Sequence, residues 1–246
     1  MNELLTNFVT LNASLLSVAI SFFLFGYIFL DKFKPLKFEL FEWFPDPQIV
    51  FEFYLDGLSG VMMVLISTLS LVIQLFSTSY MSKDEKYTKY FEYFNFFVFS
   101  MLLLVMSGNF LVMFFGWELV GLSSYLLISF WSEKKSASKA GSKAFILNRI
   151  GDFGFLIGLM MILNYFETFN FLSIFEDTLK TRPENLDLII LFLLLGAFGK
   201  SAQFPLFSWL PDAMEGPTPA SALIHAATMV TCLLYTSPSP RDALES

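Results

Sequence analysis

The sequence predicts an all-α, polytopic transmembrane helix bundle of about seven spans, and three observations predict it. Hydrophobic residues make up 55% of the 246, with a mean hydropathy of +0.63. Only 15% are Asp, Glu, Lys or Arg, against roughly 25% in a soluble domain. A soluble fold of this size cannot hide so much apolar surface. The apolar residues also fall into runs near the length of about 20 that a bilayer requires.

The spans read as 4–30, 58–80, 92–107, 109–131, 141–164 and 188–204, with a last one starting near 218. The third is short, and Ser107-Gly108-Asn109 turns the chain tightly into the fourth. Residues 31–57 read as a polar, Pro-containing loop, and 165–187 as a long acidic one. Thr218 followed by Pro219 suits an N-cap and first helical position. The domain organisation expected is one transmembrane unit over 1–235. The tail 236–246, TSPSPRDALES, is polar, carries two Ser-Pro steps and reads as a disordered or foreign end.

Loops alternate sides, so charge can be counted by side. The N-terminal side carries Lys83, Lys86, Lys89, Lys134, Lys135, Lys139 and Lys143. The other carries Lys32, Lys34, Lys37, Lys180 and Arg182 among eleven carboxylates. Basic residues mark the cytoplasmic or matrix side, which orients the N-terminus inward.

Composition also excludes functions. One cysteine, Cys232, rules out an internal disulfide, a Cys-ligated iron–sulfur cluster or a Cys-rich zinc site within these residues. One histidine, His225, cannot ligate a haem as a pair. Net charge is −7, without a basic, aromatic-interleaved patch, so nucleic acid is not an expected partner. The lipid bilayer is. Phenylalanine is abundant, 32 residues, which packing and lipid contact explain and which an AT-rich organellar genome would also favour.

The informative residues are those that cost energy in lipid. Glu118 lies inside LVMFFGWELVGLSSYLLISF, about nine residues from the turn at Asn109, or roughly 14 Å deep. Gly121, Tyr125 and Ser129 share its helix face. Its roles are a proton-handling group or a neutral, hydrogen-bonded packing residue. Arg149 and Asp152, in NRIGDFGF, can pair at i,i+3, and Asn148 can reach Asp152 at i+4. Such a pair either fixes packing or tunes proton transfer. Lys200, after twelve apolar-rich residues, is also near mid-depth, and Gly196 and Gly199 beside it allow close approach by a neighbour. Pro205 should kink or break the helix there, and broken helices at this depth line protein or water. Burial makes a lysine's charge costly, a nearby carboxylate offsets this, and such a group can exchange protons near neutral pH; the bland alternative is snorkelling. His225 follows the break, two turns into the next helix. It is either a relay, as the side chain titrating nearest physiological pH, or a satisfied core histidine. With neither a nucleophile beside a base nor a phosphate loop, the chemistry implied is proton movement.

Three runs carry a resemblance: FFGWELVGLSSYLLISFW, KAFILNRIGDFGF and GKSAQFPLFSWLPDAMEGPTPASALIHAATMVT. They resemble the chain 5 family of NADH–ubiquinone oxidoreductase, the distal antiporter-like membrane subunit of respiratory complex I, from about residue 51 to 231. The last run is shared in part with sister subunits and with large subunits of multisubunit sodium/proton antiporters; LNRIGDFGF and DAMEGPTP favour chain 5. The resemblance implies an antiporter-like half. Glu118 would be the key intramembrane glutamate, paired with Lys200 on the broken helix. His225 would lead to the central hydrophilic axis, and Arg149 and Asp152 would be the family's charged pair. It implies a proton translocase subunit that couples NADH-to-quinone electron transfer to pumping. Cofactors are expected to be none on this chain; NADH, FMN, iron–sulfur clusters and ubiquinone would be handled by other subunits. Partners would be other membrane-arm subunits, especially the adjacent chain 4. The location would be the mitochondrial inner membrane or a bacterial plasma membrane. Phe207 departs from the family, standing where many members carry a histidine. The family also usually has a preceding hydrophobic segment and continues well beyond residue 235, so the chain resembles an internal portion. Two rival readings stand: a sodium/proton antiporter subunit, and a structural piece of a membrane arm without transport.

Overall fold

The computed structural model describes residues 2–32, 34–45, 48–180 and 185–230. Its elements run α1 (Asn2–Leu30), β1 (Leu36–Pro45), β2 (Gln48–Leu55), α2 (Gly57–Tyr80), α3 (Tyr87–Met106), α4 (Phe110–Ile128), α5 (Lys135–Phe166), α6 (Phe171–Lys180), α7 (Leu186–Lys200) and α8 (Thr218–Ser221). Among the described residues five helices, α1 to α5, are long and apolar enough to cross a membrane. The sixth expected span, α7, has only 15 residues, about 22 Å at 1.5 Å per residue, short of the ~30 Å hydrocarbon core. The seventh is described only as far as residue 230, and the tail 236–246 lies outside the described residues.

The spans turn where capping chemistry lets them. Asp56 and Ser59 form a reciprocal capping box at the start of α2, the Ser59 amide donating to Asp56 Oδ1 at 2.8 Å. Asn109 caps α4, its Oδ1 accepting from the Val112 amide at 2.8 Å. Helix α1 shows Leu4, Phe8, Leu15 and Phe23 outward, as lipid contact requires. Helix α2 turns a polar stripe inward, Ser67, Ser70, Gln74 and Ser77 at helical spacing. Ser14 of α1 donates to Gln74, and Ser77 meets the Tyr90 hydroxyl at 3.2 Å; such bonds hold membrane helices together. Tyr90, Phe91, Phe94 and Phe97 of α3 are fully buried in the main core with Trp209, Leu223 and Ile224.

The loop expected over 31–57 is instead an antiparallel hairpin, β1 with β2, pairing Leu36 with Leu55 and Glu39 with Glu52. Aromatic and β-branched residues alternating with charges give it strand character. Alone it would be marginal, but it is tied to the ends of the spans. The Gly108 amide donates to Glu52 O at 3.0 Å and Asn109 Nδ2 to Val50 O at 2.8 Å. The acidic loop over 165–187 likewise contains α6.

The loops gather at the two ends of the bundle, as alternating spans require. On the N-terminal side Lys86 meets Glu133 at 2.5 Å, Trp131 donates to Asp84 at 2.9 Å, and Lys143 meets Asp212 at 2.7 Å. On the other, the hairpin, the α3–α4 turn and the loop before α6 bond to one another, with Phe53 bridging Ser107 and Asn109 bridging Asn170.

The break in the sixth span comes at Lys200, five residues before Pro205. Ala202 takes a left-handed conformation, φ 52°. The Gln203 amide donates to Phe198 O at 3.0 Å and the Ala202 amide to Gly199 O at 3.4 Å. This is a Schellman stop, built on alanine where glycine is usual. Two short 3₁₀ turns follow, Phe207–Trp209 and Asp212–Glu215, then α8, which widens into a π-type turn over Ala222–Thr228. Thr218 is the first helical residue, not the cap; its hydroxyl meets that of Tyr80 at 3.3 Å.

Candidate functional site

The site is built where α4, α5 and the end of α7 meet. Helices α5 and α7 approach backbone to backbone: a Cβ on Gly151 would lie 3.1 Å from Gly199 Cα. That contact, available only to glycine, brings the end of α7 beside Asn148 and Asp152. Helix α4 supplies the other wall. A Cβ on Gly121 would lie 2.6 Å from Lys200 Nζ and 3.2 Å from an Arg149 guanidinium nitrogen, so the small residue one turn after Glu118 is the space that the two cations occupy. The rest of that α4 face also looks onto α5, Tyr125 lying against Phe145 with centroids 5.5 Å apart.

Four charges form a continuous set. Glu118 makes a direct ion pair with Arg149. Arg149 Nε lies 3.8 Å from Asp152 Oδ2. The same oxygen lies 3.5 Å from Lys200 Nζ, the limit of a hydrogen bond. Asp152 Oδ1 accepts from the Trp117 indole at 2.6 Å, and Lys200 Nζ also sits 5.8 Å from the Trp117 ring centroid. Exposure differs sharply between the two ends of the set. Glu118 and Arg149 are half-buried, whereas the Asp152 and Lys200 side chains are 3% and 2% exposed. The formal charges cancel, which is what permits four ionisable groups at this depth.

The structure brings Glu118, Arg149, Asp152 and Lys200 together, in a pairing other than the expected one. Lys200 is buried, which removes the snorkelling alternative. Arg149 and Asp152 do face each other. Glu118, however, is paired with Arg149; the carboxylate at Lys200 is Asp152, so Glu118 reaches Lys200 through two intermediaries. Asn148 does not reach Asp152 in this structure; its amide donates back to Ala144 O at 2.9 Å. His225 lies on the π-type turn, buried, its ring centroid 5.8 Å from that of Trp209. Trp209 in turn donates to Gly199 O at 3.0 Å, so the buried indole links the histidine's turn to the end of α7. Phe207 is exposed.

Two features were missed from sequence. Trp117, next to Glu118, carries no sign in the sequence of its bond to Asp152. Glu52, read as a loop acid, is buried, pairs with Lys37 at 2.9 Å and accepts from Asn170 Nδ2 at 2.7 Å. Lys37 holds its proton more firmly than an ordinary lysine, first through its hydrogen bond to Glu52 and then through that to Glu39. Among the described residues no three His, Cys, Asp or Glu side chains converge as a metal site would need.

Residues 107–237, more than half of the chain, match the family described as NADH:quinone oxidoreductase/Mrp antiporter, transmembrane. The chain belongs to that family. Residues 43–91 match a second description, the N-terminus of complex I chain 5. NADH-ubiquinone oxidoreductase chain 5 of Acanthamoeba castellanii is 44% identical over 241 residues, which is 93% of this chain and 36% of the relative. NADH-quinone oxidoreductase subunit L of Neisseria meningitidis is 44% identical over 243 residues, 90% of this chain and 36% of the relative. The Mrp complex of Dietzia contains a chain of similar fold, TM-score 0.78 at 25% identity, covering 96% of this chain and 27% of that one. The chain thus spans about a third of the length of the curated relatives it matches.

Proposed function

We propose that the chain is part of a proton-translocating membrane subunit of respiratory complex I, coupling electron transfer from NADH to quinone, carried out elsewhere in the complex, to proton movement through the bundle. The observation that carries this reading is the Glu118–Arg149–Asp152–Lys200 set among apolar helices, ending on a helix that stops after 15 residues. The 44% identity to chain 5 and subunit L relatives supports complex I as the setting. NADH, FMN, iron–sulfur clusters and ubiquinone would all belong to other subunits. Partners would be neighbouring membrane-arm subunits, an adjacent chain 4 among them, and the setting the mitochondrial inner membrane or its bacterial counterpart.

In this reading Arg149 is the movable member. Placed on Glu118, it leaves Asp152 to Lys200, and the ammonium keeps its counter-charge. Drawn to Asp152, it competes for that carboxylate, and Lys200 releases its proton toward His225 past Trp209. Glu118 therefore acts on Lys200 through Arg149 and Asp152. Lys200→Met in the intact subunit is expected to lower protons pumped per NADH oxidised. An unchanged ratio in the assembled complex sinks the proposal and leaves the structural reading.

The likeness to the Dietzia Mrp chain favours a second setting, a sodium/proton antiporter with the same charged set. Identifying the subunits that co-purify separates the two: hydrogenase-like and quinone-site subunits mean complex I.

A further inference from the structure

The charged set lies between two unlike halves of the bundle. Toward the N-terminal side, α5 and the segment after the break flank adjoining open clefts of about 560 and 480 Å³ that share Lys139 and Lys143. Asp212 lines the first, and Ser208, next to Trp209, lines the second. Toward the hairpin side the space between α4, α5 and α7 is filled by a continuous apolar cluster, Phe155, Leu159, Ile162, Phe169, Ile174 and Ile189. Beyond that cluster lies the polar pocket of about 250 Å³ around Glu52 and Asn170. The charged set therefore lies between clefts that carry Lys139, Lys143 and Asp212 at one end of the bundle and, at the other, a plug that separates it from the polar pocket.

The end of the plug nearest the charges is a stack of three rings. Phe114 of α4 stacks on Phe155 of α5 with centroids 5.7 Å apart and planes at 12°, and Trp117 stacks on Phe155 at 5.1 Å and 23°. Trp117 is buried and belongs to both structures at once. Its ring closes the stack, and its N–H donates to Asp152 at 2.6 Å. Apolar constrictions hold back ions and protons for as long as they stay dry, and a hydrogen bond to a charged acceptor is roughly twice as strong as one to a neutral group.

We infer that Trp117 is the outer seal of the charged set, and that its indole N–H latches the seal to the charge on Asp152. While Asp152 is an unprotonated acceptor, the indole is held and the stack is shut. When a proton arrives on Asp152, or Arg149 takes over its oxygens, the hold on the indole weakens and the stack can part toward the Glu52 pocket. Trp117 is a positioning residue and takes no proton itself. The consequence for pumping rests on the proton-transfer reading above; the seal does not.

The test uses the assembled complex in liposomes. Dissipation of an imposed pH gradient is measured without NADH, and protons pumped are measured with it. Trp117→Ala is expected to speed passive dissipation several-fold. Trp117→Phe keeps a ring and loses the N–H, so the unlatched stack should leak more than the parent and less than Trp117→Ala, and pump fewer protons per NADH. Phe114→Ala removes the far end of the stack without touching the charges and should leak as Trp117→Ala does, which covers a failure of the alanine variant to assemble. Assembled alanine variants as tight as the parent overturn the seal, and Trp117→Phe with an unchanged pumping ratio overturns the latch. Lys200→Met reports on proton transfer separately. A leaky Trp117→Ala beside an unaffected Lys200→Met keeps the seal and removes the proton-transfer reading; the converse pair of results does the reverse.

Discussion

Glu52 at the hairpin and Asp152 at mid-depth are both buried carboxylates that face a lysine. Glu52 is satisfied on every side: Lys37 at 2.9 Å, the Asn170 amide at 2.7 Å, and a backbone carbonyl bonded to Gly108. Its lysine is 43% exposed and also reaches Glu39 at 3.0 Å. Asp152 has one short bond, to Trp117, and shares its other oxygen between two cations at 3.5 and 3.8 Å. Its lysine is buried. The first arrangement has one good geometry and reads as a clasp. The second has several of similar quality, the condition for charge to move. The pH behaviour of the clasp agrees. A lysine with a raised pKa contributes stability at every pH below its ordinary value and loses it only as pH rises past the folded-state value. The contribution of Lys37 is therefore constant across the neutral range.

The largest effect is expected at Asp152. Asp152→Asn leaves Lys200 and Arg149 without the carboxylate they share, and removing one partner of a buried pair costs about 3–5 kcal/mol. Proton pumping should be lost and the thermal midpoint of the subunit should fall. The double change Asp152→Leu with Lys200→Met removes charge and partner together, so thermal stability should return while pumping stays absent. If pumping returned with stability, the set would be structural and its contrast with Glu52 would disappear.

A smaller effect is expected at the clasp. Glu52→Gln loses the charge that holds Lys37 but keeps an amide for Asn170. Because Lys37 is partly solvated, the loss should be about 1 kcal/mol, the usual net value of such a bond. Limited proteolysis should cut the hairpin faster, with pumping per NADH unchanged. Loss of pumping with the hairpin still protected would mean that Glu52 belongs to the proton path.

Much of the site was legible because each member breaks an apolar run: Glu118, Arg149, Asp152 and Lys200 stand out by cost alone. Their pairing was not legible. Spacing along one helix gives Arg149 with Asp152, but the Asp152–Lys200 contact depends on α5 and α7 touching at Gly151 and Gly199, which sequence separation does not reveal. The hairpin was hidden by its charges and prolines, although the alternation in LKFELFEW was there to be weighed. Trp117 was invisible because its role comes from its neighbours, Phe155 on one face and Asp152 at its N–H.

The stop of α7 is the least legible feature, and it yields the smallest expected effect. Glycine usually marks a Schellman turn; here alanine occupies it at φ 52°, and the sequence offers only Pro205, five residues past Lys200. A left-handed conformation costs an L residue roughly 1–2 kcal/mol, while glycine loses about 0.5–1 kcal/mol more chain entropy on ordering. Ala202→Gly should therefore stabilise the subunit by about 0.5–1 kcal/mol, read as a small rise in thermal midpoint with pumping retained. A fall in stability would mean that the Ala202 methyl packs against the core more strongly than its backbone is strained. A rise in stability with a fall in pumping would be more informative. It would mean that the turn beside Lys200 must yield during the cycle, so that the mobile side of the comparison extends from the charges into the backbone that ends α7.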